Sequence, residues 1–137
     1  NPSEQVQMAA VKSNYLALRY IQNPTMDILK AAVLQDPQAM RQITNLDLDT
    51  VLELLKVSTL ILGYVPKQLG LTVEMVRQII TEMIANPAVE ERYVRELVSN
   101  PAIGGRQSTW PIDILSLVDV YGSAQAKKIA IDQYLLY

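Results

Sequence analysis

The sequence predicts an all-α fold, a helical bundle from which a long N-terminal helix projects. Three observations carry this expectation. Apolar residues recur at spacings of three and four, as in Val51, Leu54, Leu55 and Leu62, and again in Val76, Ile79, Ile80 and Met83. Such spacing puts them on one face of a helix. Alternation of period two, the mark of a half-buried strand, is absent. Finally, five of the seven prolines follow an Asn or Asp: Asn1-Pro2, Asn23-Pro24, Asp36-Pro37, Asn86-Pro87 and Asn100-Pro101. An Asx side chain can accept a hydrogen bond from an orphan N–H of the first turn. Proline just after it loses no helical hydrogen bond and already has a helical φ.

These signals place the elements in order. A first helix is expected from Pro2 to Gln22, with Asn1 as cap and Glu4 completing a capping box. Asn23-Pro24 opens a second, to Gln35, and Asp36-Pro37 a short third, to Asn45. Thr50 and Glu53 form another capping box, opening a helix that Gly63 closes. Tyr64 to Gly70 is read as a loop or single turn. Thr72 caps a helix through Ala85, and Asn86-Pro87 restarts it through Ser99. Asn100 to Trp110, with Gly104 and Gly105, is the clearest loop. Pro111 to Tyr121 forms a helix stopped by Gly122, and Ser123 caps the last. Residues 23–37 and 86–101 look alike, each reading Asx-Pro, a helix of about a dozen residues, then Asx-Pro again. Shared punctuation and an old duplication are both readings of that likeness. Three segments result: an N-terminal helix over 1–22, a bundle core over 23–103 and a helical extension over 104–137.

Composition narrows the function classes. The chain has 137 residues, half of them apolar, with one Trp and no Phe. That is enough for one domain with a real core, and too apolar for disorder. Cys and His are both absent. Thiolate chemistry and disulfides are therefore excluded, and the commonest general base and metal ligand are missing. The net charge of −2 announces no nucleic-acid partner. No apolar run is long enough to span a membrane; the most apolar, Val57 to Val65, is too short. No signal-peptide pattern is read, and the Asn start is read as a processed or trimmed end.

Two segments carry a family resemblance. Ala85-Asn86-Pro87-Ala88-Val89, followed by Val94, Leu97 and Pro101, resembles the C-terminal helix region of the major capsid proteins of rod-shaped archaeal viruses. Asn23-Pro24-Thr25-Met26, after Tyr20 and Ile21, resembles the Asn-Pro-Thr-Val that follows their N-terminal helix. The order of the two motifs matches. The resemblance implies a helical-bundle subunit that wraps double-stranded DNA, with N-terminal helices lining a lumen that holds A-form DNA. The motifs lie closer together here, a long segment follows Pro101, and a strongly basic N-terminal tail is lacking. Those departures put the chain nearer the filamentous, enveloped relatives, which pair two related capsid proteins.

The first helix is then the expected DNA-lining element. Gln5, Lys12 and Arg19 are seven residues apart and fall on one line of a helix, with Ala9 and Leu16 beside it. On this reading Lys12 and Arg19 neutralise phosphates, while Gln5, Gln7, Ser13 and Asn14 hydrogen-bond them. Such contacts position DNA without reading its sequence. Lys30 and Arg41 are the further candidate cations. Read from residues alone, the same stripe is an ordinary solvated helix face. Arg92 and Arg95, beside Glu90, Glu91 and Glu96, are expected to form surface ion pairs.

Other constellations have plain readings. Lys67 to Arg77 resembles a helix-turn-helix core with Gly70 as its turn, but its second helix would offer Glu74 and Glu82 to a phosphate-rich groove. A glycine turn and a Thr cap explain it as well. Asp47, Asp49 and Glu53 suit a helix N-terminus better than a cation site. Gly104-Gly105 lacks the strand and lysine of a phosphate loop. Trp110, Tyr121, Tyr134 and Tyr137 are expected in core or subunit packing, and Lys127-Lys128 faces DNA, lipid headgroups or water.

The expectation is a structural protein and not an enzyme, with no cofactor and no metal. It is a major capsid subunit in the virion of a filamentous archaeal virus, forming a helical filament around linear double-stranded DNA. Its expected partners are that DNA, itself, a paralogous capsid protein and a lipid envelope. The alternatives are a helix-turn-helix regulator using residues 66–84 and a helical protein–protein adaptor.

Overall fold

The computed structural model describes residues 3–104 and 108–135. The expected helix start at Asn1-Pro2, Gly105 of the glycine loop, and Tyr137 lie outside the described residues. The all-α expectation holds: the described residues contain no strand, only an isolated bridge between Ile103 and Trp110. The chain divides into two compact units, Asn1–Leu69 and Gly70–Tyr137.

The first unit repeats one device three times at a spacing of 22 residues. Helices α1 (Glu4–Ser13), α2 (Met26–Gln35) and α3 (Leu48–Leu55) start at equivalent places. Their caps Ser3, Thr25 and Asp47 each accept from the N–H three residues on, at 3.3, 3.3 and 2.8 Å. Each α-helix is followed by a six-residue 3-10 helix: Tyr15–Tyr20, Pro37–Gln42 and Thr59–Tyr64. Between them stands a polar residue in extended conformation, Asn14, Asp36 or Ser58. Its side chain accepts from the N–H two residues on, at 3.0, 2.9 and 3.2 Å. A short polar side chain thus offers the backbone an alternative to continuing the α-helix. Ile21, Ile43 and Val65 then end the 3-10 segments in extended conformation. Asn23 and Asn45 turn the chain into the next repeat at φ 51° and 55°, a left-handed region that Asn tolerates better than most residues.

Equivalent side chains build the core. Val11, Val33 and Leu55 are buried from the α-helices, and Leu18, Met40 and Leu62 from the 3-10 helices. α1 packs on α2 and α2 on α3, while successive 3-10 helices pack on one another. Each repeat therefore covers its neighbour, as in a solenoid.

This arrangement corrects several expectations. Within the helix expected over residues 2–22, the described residues 3–22 do not form one projecting helix. Asn14 breaks it into α1 and a 3-10 helix, and buried Val11 and Leu18 hold both pieces on the first unit. The helix expected from Thr50 to Gly63 ends at Leu55, and its cap is Asp47. Ser58 opens a 3-10 helix instead. Among the described Asx-Pro pairs, only Asp36-Pro37 opens a helix directly. Asn86 and Asn100 make Asx-turns, accepting from the N–H of Ala88 at 2.8 Å and of Ala102 at 3.0 Å. Consequently α5 starts only at Glu91.

The second unit holds α4 (Val73–Ala85), α5 (Glu91–Ser99), α6 (Ile114–Tyr121) and α7 (Ala124–Leu135). Thr72, Asp113 and Ser123 cap α4, α6 and α7 through N–H groups three residues on. α5 packs chiefly against α7, and α4 against α6. Their core includes Val76, Ile80, Ile84, Tyr93, Val94, Leu97, Ile112, Ala126 and Ile129. Arg95 ties α5 to α7: its guanidinium donates to the buried Gln133 side chain at 2.9 Å and to Glu91 at 2.7 Å. The α6–α7 corner needs Gly122, because a Cβ there would lie 2.5 Å from the Val118 carbonyl oxygen.

Two predictions follow from this packing. The Tyr93 hydroxyl is buried without a hydrogen-bond partner, and burial raises its pKa well above the ordinary tyrosine value. An unsatisfied buried hydroxyl is destabilising, so Tyr93→Phe should hold or raise stability, by about 1 kcal/mol in chemical denaturation. The second concerns acid. Hydrogen bonds from Thr50 hold the Asp47 carboxyl below its usual 3.8, and Ser116 does the same for Asp113. A depressed folded-state pKa gives stability that is present above 3.8 and lost as pH falls through the lower folded value. Asp47→Asn keeps an acceptor but cannot titrate, so it should flatten the acid limb of a melting-temperature profile.

Candidate nucleic-acid interface

The residues expected to contact DNA all belong to the first unit, and the 22-residue register decides what they do. Gln5, Lys12 and Ser13 are exposed on α1, and Gln7 is half-buried. Asn14 is exposed, but its side-chain oxygen is engaged by the Leu16 N–H. Because the α-helix ends at Ser13, Arg19 does not continue the helical line of Gln5 and Lys12. It stands on the 3-10 helix instead.

Arg19 and Arg41 occupy the same place in successive repeats, and each reaches the same place in the next. The Arg19 Nε donates to the Gln42 side chain at 3.2 Å. The Arg41 guanidinium lies 5.1 Å from the centroid of the Tyr64 ring, within cation–π range. Gln42 and Tyr64 are themselves equivalent, each ending its 3-10 helix. Lys30 also bridges repeats, its Nζ 3.8 Å from Glu53. Glu53 is held below its usual pKa first by the Lys56 hydrogen bond, then by the charges of Lys56 and Lys30. Likewise the Thr25 hydroxyl donates to Glu4 of the preceding repeat at 2.8 Å. Three of the four expected phosphate-binding cations are thus engaged between repeats.

Charge gives the same balance. Residues 1–69 carry six Lys and Arg against six Asp and Glu. Along the chain the cations are interleaved with acids. Sequence reasoning missed Tyr20, Gln42 and Tyr64 as a set. The signal was in the chain as Asn-Pro-Ser, Asn-Pro-Thr and Asn-Leu-Asp at residues 1, 23 and 45.

The other constellations resolve plainly. What precedes Gly70 is a three-residue 3-10 turn, Lys67–Leu69, too short for the first helix of a helix-turn-helix. Gly70 itself is left-handed, at φ 79°. Asp47 is a cap. Arg77 pairs with Glu74, Arg92 with Glu90 and Glu96, and Arg95 with Glu91. Trp110 is buried, whereas Tyr121 and Tyr134 are exposed. Tyr134 lines an open apolar groove of about 260 Å³ with Leu115, Val118, Ala130 and Ile131. Of the two motifs that carry the resemblance, Asn23-Pro24-Thr25-Met26 is the junction of two repeats, and Ala85 to Val89 is the turn between α4 and α5. Among the described residues no cluster of acids is arranged to hold a metal, and no helix is long and apolar enough to cross a membrane.

No protein family matches the chain, and neither does any curated protein or solved structure.

The arginine contacts are testable as stability determinants. Arg41→Ala should destabilise the first unit by about 0.5–1 kcal/mol, the size of an exposed cation–π contact. In a double-mutant cycle with Tyr64→Leu, the two losses should be less than additive. Full additivity would mean that the ring and the guanidinium do not interact.

Proposed function

We propose that this chain is a non-enzymatic helical-repeat scaffold, which acts by presenting stacked helix surfaces to other proteins. The observation that supports it is the repeat-to-repeat use of Arg19, Lys30 and Arg41. Arg19 and Arg41 meet neutral partners and Lys30 a carboxylate, so three of the cations expected at phosphate contribute to stacking. Repeat proteins of this kind derive their binding surfaces from the stack. The absence of His and Cys from the sequence fits a role without acid–base or thiolate chemistry.

A second reading is the capsid subunit that forms a filament on linear double-stranded DNA. Exposed Lys12 and the two sequence motifs favour it. It requires residues 1–22 to straighten through Asn14 into one projecting helix when subunits assemble, and it brings in a paralogous partner subunit.

Electron microscopy and gel mobility of the purified chain, with and without linear duplex at low and moderate salt, separate the two. The scaffold reading expects no filament and no salt-dependent retardation. A duplex-dependent filament, weakened by Lys12→Ala with a salt slope reduced by about one, would replace the scaffold with the capsid reading. Sequence-selective retardation lost on Arg77→Ala would replace both with a regulator.

A further inference from the structure

We infer that the end of the first unit formed by its first repeat is a docking face for one further helix pair of the same 22-residue pattern, which presents an arginine to the ring of Tyr20. The inference deepens the scaffold reading by naming the partner that one of its surfaces takes.

Burial along the register is the first support. In the second repeat Ile28, Ala32 and Ala39 are 0% exposed, and in the third Leu54 and Ile61 are 0% exposed, while Thr50, which stands where Ile28 stands, is half-buried. Their first-repeat counterparts are of the same apolar kind but differ in exposure. Val6 is 58% exposed, Ala10 is exposed and Ala17 is half-buried. The repeat before packs on the elements that carry these positions: α1 on α2, α2 on α3 and each 3-10 helix on the next. The face around Val6, Ala10 and Ala17 is therefore shaped to receive another such pair.

Side-chain chemistry is the second support. Arg19 reaches Gln42 and Arg41 reaches Tyr64, so each repeat offers an arginine to the last 3-10 residue of the next. Tyr20 is the first-repeat member of that receiving set, and it is 82% exposed. A large aromatic ring held so far out of the core suits a cation from outside. Ser3 stands where Thr25 stands, and the Thr25 hydroxyl donates to Glu4 of the repeat before it. The occupant is thus specified: an α-helix and a 3-10 helix with small apolar residues on the facing side, a carboxylate opposite Ser3 and an arginine over Tyr20.

A tandem chain tests this. A second copy of residues 1–22, which carries both the arginine and the carboxylate, is placed directly ahead of the full chain. The expected result is a melting temperature higher by several degrees, with amide exchange over Val6–Val11 slowed about tenfold or more. Replacing the added arginine by Ala should lower that melting temperature in the tandem chain, and should have no effect when Tyr20→Ala is also present. An added segment that exchanges as a free peptide, with no change in melting temperature, overturns the inference while leaving the scaffold reading to its own DNA test. It is equally overturned if the unextended chain sediments as a dimer that Val6→Lys dissociates, because a second copy would then own this face.

Discussion

The first unit depends on one small interaction, a side-chain oxygen that captures the N–H two residues ahead. Asn14, Asp36 and Ser58 each do this at the end of an α-helix. Without it, α1 could run on through Tyr15 and Leu16, whose helix propensity is adequate. The capture ends the α-helix and redirects the chain into a six-residue 3-10 helix. A 3-10 helix is tighter and is used in short pieces, so it closes the repeat quickly. The buried residues on both sides of the break, such as Val11 and Leu18, can then face one core.

Once the break recurs at a fixed spacing, lateral contacts recur with it. The arginines at 19 and 41 and the residues at 42 and 64 meet because the register brings them together. Their chemistry differs, a hydrogen bond in one case and a cation over a ring in the other. The geometry that creates the contact is the same. Each contact is exposed and individually modest. The buried apolar columns supply the larger share of stability, and the arginines help to set which repeat faces fit together.

The second unit uses related chemistry differently. Asn86 and Asn100 make the same two-residue capture, but Pro and Ala after them form only a turn. Its helices are tied instead by Arg95, which bridges Glu91 and buried Gln133, and by the close approach at Gly122. The apolar residues of α6 and α7 are divided between core, as with Val118 and Ile129, and surface, as with Tyr121 and Tyr134.

The sequence by itself determined the all-α class, the cap of α4 at Thr72, its end at Ala85, the stop at Gly122 and the ion pairs of α5. These are local: a capping hydroxyl, a glycine or a pair four residues apart acts within one turn. The 22-residue period is too faint to read from the chain alone, because Pro2 and Pro24 become Leu46 and the polar breaker changes from Asn to Asp to Ser. Only the tertiary structure decided that Asn14 breaks the first helix, because the same residue is tolerated in a helix unless packing favours the break. It alone decided that Arg19, Lys30 and Arg41 face the next repeat. A charged side chain's partner is set by which segments stack, and stacking is a long-range outcome of where the apolar columns close.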